Sequence, residues 1–242
     1  MPRPIPIIAL DVPARADAES LLDRLGPDAD FVKVGLQLFT AEGPDVVRAM
    51  RERGCRVFLD LKLHDIPSTV AHAVESAARL GVDLLTVHAS GGSAMLRAAR
   101  RAAGERGADG IRLLGVTVLT SLSAAEVAEA WGRDGVSAAD EVERLARLAQ
   151  GAGMDGVVAS VAEVPVIRRA TGADFRILTP GIRLPGDEAG DQARIATPGQ
   201  AARLGSDYII LGRSVTAAAD PAEALRRAIR ELDEAVPERI AG

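Results

Sequence analysis

Short apolar runs alternate with longer amphipathic stretches along nearly the whole chain. The runs are PIPIIALDV (4–12), FVKVGLQLF (31–39), RVFLDLKL (56–63), LLTVHA (84–89), LLGVTVLT (113–120), GVVAS (156–160), RILTPGI (176–182) and YIILGRSV (208–215). They are rich in Val, Ile and Leu and short enough to be buried strands. Between them, apolar residues recur at helical spacing in DAESLLDRLG (17–26), PDVVRAMRERG (44–54), TVAHAVESAARLG (69–81), DEVERLARLAQGAG (140–153) and PAEALRRAIRELDEAV (221–236). Gly54, Gly81 and Gly205 fall where a helix-ending glycine is expected. Eight strands alternating with helices predict an α/β protein, a single (β/α)8 TIM barrel over residues 1–242. An open doubly wound sheet is the alternative, weakened because no G-x-G-x-x-G follows the first run. The fifth unit is longer than its neighbours, and SAAEVAEAWG (123–132) is expected to add a helix there.

Polar residues punctuate the ends of these runs: Asp11, Lys33, Asp60, His88, Thr120, Ser160, Pro180 and Gly212. A barrel gathers its C-terminal strand ends into one ring, where an active site belongs. The stretch LDLKLHDIPSTV (59–70) is the most unusual. Alternation along a strand puts Leu59, Leu61 and Leu63 on one face, toward the outer helices, and Asp60 and Lys62 on the other, toward the interior. Two charges facing inward are costly unless they are paired or functional. Asp65 and Thr69, four apart, are expected on one side of the next helix's first turn, which Pro67 suits. A structural ion pair would explain a lone D-x-K. Lys33, at the end of the neighbouring run, changes the balance by completing an alternating Lys33–Asp60–Lys62–Asp65 chain.

Composition narrows the classes. Of 242 residues, 34 are acidic and 29 basic, a net charge of −5 that suits no phosphate backbone as partner. Four Phe, one Tyr and one Trp are too few for a base-stacking platform, so nucleic acid is not an expected partner. Prolines and Asp11 interrupt the first apolar run, so neither a signal peptide nor a membrane span is expected. Cys55 is the only cysteine, and the chain is expected to be cytoplasmic.

DLKLHDIPSTV (60–70) resembles the signature of the orotidine 5′-phosphate decarboxylase family, whose usual form is close to DLKFHDIPNTV. Leu63 stands for the usual Phe and Ser68 for the usual Asn, and neither is a charged position. The resemblance continues through ALDV with Asp11, VKVG with Lys33, TVHASGG, VTVLTS, LTPGIR with Arg183, GDQAR with Gln192, and YIILGRSV with Gly212 and Arg213. It implies loss of CO2 from orotidine 5′-phosphate to give uridine 5′-phosphate (UMP), with no cofactor and no metal. Lys62 would oppose the charge developing on C6 and then protonate it, and Asp60 would stand beside the departing carboxylate. Lys33 and Asp65 would hold those two charges in place. Asp11 and Lys33 would meet the ribose, and Thr120 and Ser121 the pyrimidine. Gln192, Gly212 and Arg213 would hold the phosphate, with Arg183 close by. The resemblance also implies a homodimer in which Asp65 and Thr69 enter the partner's site.

Without the resemblance several of these residues read otherwise. Arg213 alone would be a surface arginine, and Gln192 lies in a Gly- and Asp-rich loop, RLPGDEAGDQARI (183–195), where exposure is the default. His64, His72 and His88 form no H-x-x-x-H, so structural roles are expected for them, as packing is for Cys55 and Trp131. Two rivals remain. A related sugar-phosphate decarboxylase could share D-x-K-x-x-D, but would use Mg2+ and lack HDIPST. A non-catalytic nucleotide-binding barrel should have lost one of the four charges.

Overall fold

The computed structural model describes residues 2–104, 110–132, 135, 137–187 and 195–235. Eight strands, β1 (Ile5–Ala9), β2 (Phe31–Gly35), β3 (Arg56–Leu63), β4 (Leu84–His88), β5 (Arg112–Val116), β6 (Gly156–Val158), β7 (Arg176–Thr179) and β8 (Tyr208–Leu211), are parallel and close into a barrel in sequence order. The closure is the β1–β8 pairing, with Ile7 opposite Ile210. The chain is therefore the TIM barrel that the alternating pattern predicts.

The connecting helices are α1 (Arg15–Leu25), α2 (Leu36–Glu42), α3 (Pro44–Glu52), α4 (Pro67–Arg79), α5 (Gly92–Ala102), α6 (Ala124–Trp131), α7 (Ala138–Gly151), α8 (Val164–Thr171), α9 (Pro198–Leu204), α10 (Arg213–Thr216) and α11 (Pro221–Ala235). Helix α6 is the extra helix expected in the fifth unit, and Ser123 and Glu126 close a capping box at its start. Strand alternation divides the apolar residues into two cores. Ile7, Ala9, Phe31, Phe58, Leu84, Leu114, Leu178, Tyr208 and Ile210 fill the barrel. The residues between them in sequence, including Leu59 with the partly buried Leu61 and Leu63, pack beneath the helices.

At the N-terminal end, acidic residues fix the register of neighbouring strands. Asp83 Oδ2 accepts from Val57 N at 2.8 Å, Asp155 Oδ2 from Leu113 N at 2.9 Å, and Asp207 Oδ2 from Ile177 N at 2.8 Å. Each aspartate immediately precedes an even-numbered strand and ties down the odd one before it. Arg51, Arg100 and Arg168, from the preceding helices, pair with these three carboxylates in turn.

Three expectations about boundaries need correction. The run 31–39 is a strand only to Gly35; Leu36, Leu38 and Phe39 belong to α2, with Leu38 inward and Leu36 exposed. The run 208–215 divides likewise at Gly212, the N-cap of α10. The run 113–120 leaves the sheet after Val116. There Thr117 N–H and Oγ1 both donate to Val158 O, at 3.2 and 2.8 Å.

Candidate active site

The C-terminal strand ends surround a cavity of about 490 Å3, large enough for a small ligand. Its wall includes Asp11, Lys33, Asp60, Lys62, Thr120, Ser121, Arg183, Gly212 and Arg213, nine of the residues singled out from the sequence. Gln192 lies outside the described residues.

Four charges form a connected network across β1, β2 and β3. Lys33 Nζ lies 2.7 Å from Asp11 Oδ1 and 4.0 Å from Asp60 Oδ2, and Lys62 Nζ donates to the same Asp60 oxygen at 2.8 Å. The inner members are largely shielded: the side chains of Lys33 and Asp60 are 10% and 12% exposed, against 31% for Lys62 and 59% for Asp11. Low exposure strengthens each attraction, and the alternation of sign keeps the shielded charges mutually compensated. The network leaves its most accessible ammonium, that of Lys62, at the cavity.

Lys62 reaches this position through an irregular backbone. Its φ is 50°, the only positive value at a non-glycine among the described residues. For an L-residue this left-handed conformation costs roughly 1–2 kcal/mol. The strain accompanies a register shift: Leu59 pairs with Leu85 but Leu63 with Val87, so four steps along β3 match two along β4. Such a bulge re-aims a side chain at a sheet rim. Buried Thr86, opposite the bulge, accepts from Lys62 N at 2.9 Å and donates from Oγ1 to Asp60 Oδ1 at 2.9 Å.

The expected Lys33–Asp60–Lys62–Asp65 chain is not assembled within the single chain. Asp11 joins ahead of Lys33, and Asp65 turns back to accept from its own neighbour, Ile66 N, at 2.6 Å. Nor does Asp65 share a helical turn with Thr69. Pro67 opens α4 and holds Ile66 extended (ψ 153°), so the helix cannot continue back to Asp65. Residues 64–69 are exposed throughout, and Ile66 is 63% exposed.

The histidines near the site contact each other, with the rings of His64 and His88 5.3 Å apart. Burial pushes the His88 imidazole below its usual range; His64 and Lys62 add to the effect, and Asp60 opposes it. Burial likewise raises the Cys55 thiol, which donates to Ala29 O just before β2 and β3 begin. Thr86 is the residue that sequence reasoning missed. A polar residue two positions before His88, in the otherwise apolar LLTVH, was its signal.

Residues 4–228 match the Orotidine 5'-phosphate decarboxylase / HUMPS family. The chain is 50% identical over 231 residues to an orotidine 5′-phosphate decarboxylase of Moorella thermoacetica, covering 94% of this chain and 91% of the relative. It is 49% identical over 220 residues to the enzyme of that name from Escherichia coli O139:H28, covering 91% and 89%. In three dimensions it resembles the crystal structure of orotidine 5′-phosphate decarboxylase from Lactobacillus acidophilus. There the TM-score is 0.83 at 38% identity, over 96% of this chain and 100% of the other.

Proposed function

The chain belongs to the orotidine 5′-phosphate decarboxylase / HUMPS family, and from that premise we propose that it converts orotidine 5′-phosphate to UMP and CO2 as a step of pyrimidine biosynthesis. The observation that carries this reading is the Asp11–Lys33–Asp60–Lys62 network at the cavity. Decarboxylation breaks the bond from C6 to its carboxylate and leaves the electron pair on C6, where the ring offers no adjacent sink. A fixed ammonium in a shielded site lowers the energy of that charge. Lys62 supplies the ammonium, then gives its proton to C6 and recovers one from water. Asp60, held between two lysines, stands beside the departing carboxylate. These steps draw on side chains alone, with no cofactor or metal.

Around this centre Asp11 and Lys33 meet the ribose, while Thr120 and Ser121 meet the pyrimidine. Gly212, Arg213 and Arg183 take the phosphate, joined by Gln192. A phosphate site after strands seven and eight is common in barrels, and the arginine fork suits it. The working unit is a homodimer in which Asp65 and Thr69 reach the partner's cavity. The exposure of residues 64–69, with Ile66 uncovered in a single chain, supports this. No helix among the described residues is long and apolar enough to cross a membrane, and a single buried cysteine suits a cytoplasmic enzyme.

The test is direct. Purified protein should form UMP from orotidine 5′-phosphate and retain that activity in EDTA. Failure to form UMP would contradict the reading. Activity lost in EDTA and restored by Mg2+ would contradict the metal-free mechanism.

A further inference from the structure

We infer that Thr86 is the positioning residue that holds both Lys62 and Asp60 in their working geometry. The inference rests on the decarboxylase reading and adds to it a residue that touches no substrate. One buried hydroxyl serves the Lys62 backbone and the Asp60 carboxylate at once. Oγ1 accepts from the backbone N–H of Lys62, the residue with φ of 50°, and donates to the Asp60 carboxylate, each at 2.9 Å.

The two bonds have separate consequences. The first replaces what the sheet cannot provide. Between Leu59 and Leu63 the β3–β4 register slips by two residues, so the Lys62 N–H is left without its regular place in the ladder. The Thr86 side chain supplies the acceptor, stabilising the left-handed backbone that delivers Lys62 to the cavity. The second bond engages Asp60 Oδ1, while Oδ2 faces both lysines. With one oxygen anchored to rigid β4, the carboxylate plane cannot rotate freely, and the Lys62 ammonium keeps a fixed partner. A hydroxyl with one proton and a free lone pair suits this double duty. Valine, of nearly the same shape, provides neither bond. Thr86 is fully buried, so water cannot substitute without rearrangement.

The test compares Thr86→Val with Thr86→Ser, measuring kcat, KM, the Kd for UMP and the thermal midpoint alongside wild type. A bond to a charged group is worth enough that T86V should lose about ten- to a hundredfold in kcat. KM and UMP affinity should stay within about threefold, because the ribose and phosphate contacts are untouched. T86S keeps the hydroxyl and should recover most of kcat despite losing the methyl group. If T86V does not fold, Thr86→Ala against T86S makes the same comparison. The inference is overturned if the hydroxyl-free variant keeps wild-type kcat, or if T86S is impaired as severely. It also fails if UMP affinity falls in step with kcat, the mark of general collapse of the site. A wild-type protein with no turnover would instead contradict the decarboxylase reading itself, and with it any positioning role.

Discussion

The Lys33–Asp11 ion pair fills the space that a side chain at residue 35 would need. A Cβ on Gly35 would lie 2.8 Å from Lys33 Nζ and 3.3 Å from Asp11 Oδ1. Gly35 has φ of −95°, so the backbone accepts alanine, and the Lys33 ammonium must yield, with a smaller shift of the Asp11 carboxylate. Gly35→Ala should therefore unfold at nearly the wild-type temperature yet lose about a hundredfold in kcat/KM, the scale expected when a catalytic group is displaced by an ångström or so. A large fall in thermal midpoint, or unchanged kcat/KM, would contradict that explanation. At this scale the charged residues were legible in the sequence, because alternation makes inward charges on a strand conspicuous. The left-handed Lys62 was not, and Thr86 showed only as a polar residue in an apolar run. Both depend on a slip between β3 and β4, and strict alternation contains no signal for a slip.

The strands and helices were mostly legible from periodicity, and the boundaries that were missed have local causes. Proline at residue 67 excludes Asp65 from α4, and Gly212 caps the short helix that follows β8. Less visible in the sequence is the support at the barrel's other end, where aspartates before β4, β6 and β8 bind across strands. Asp155 is nearly as shielded as Asp207 and is the one to test, because Asp207 also pairs with two arginines, Arg168 and Arg176. It accepts from Leu113 N and from Arg100, with side-chain exposures of 11% for Asp155 and 14% for Arg100. Removing one member of a shielded pair leaves the other charge uncompensated. Asp155→Ala should lower unfolding stability by about 3 kcal/mol. Denaturation midpoints read this directly, and a loss below about 1 kcal/mol, the worth of an exposed pair, would contradict the role assigned to it.

For the whole molecule, eight strand–helix alternations pointed to the barrel, in which closing the parallel sheet leaves no edge strand. That a partner chain covers residues 64–69 is proposed from the family resemblance. In one chain Asp65 accepts from its own neighbour, Ile66 N, and Ile66 is bare. A two-fold partner makes the exchange reciprocal. Mixing inactive Lys62→Ala and Asp65→Ala proteins, after dissociation and reassociation, tests this. Each mixed dimer has one site with both lesions and one with neither. With random pairing, half the dimers are mixed, so activity should return to roughly a quarter of wild type. If each site draws Asp65 from its own chain, mixing restores nothing.

The most direct measurement concerns Lys62 alone. Its ammonium is assigned to charge that exists only as the carboxylate departs, so it should contribute little to ground-state binding. Single-turnover decarboxylation and UMP titration of Lys62→Ala should give a chemical step slowed by at least about a thousandfold, with UMP affinity within a few fold of wild type. Near-normal turnover in this variant would contradict the assignment of Lys62 as the group that stabilises and protonates C6.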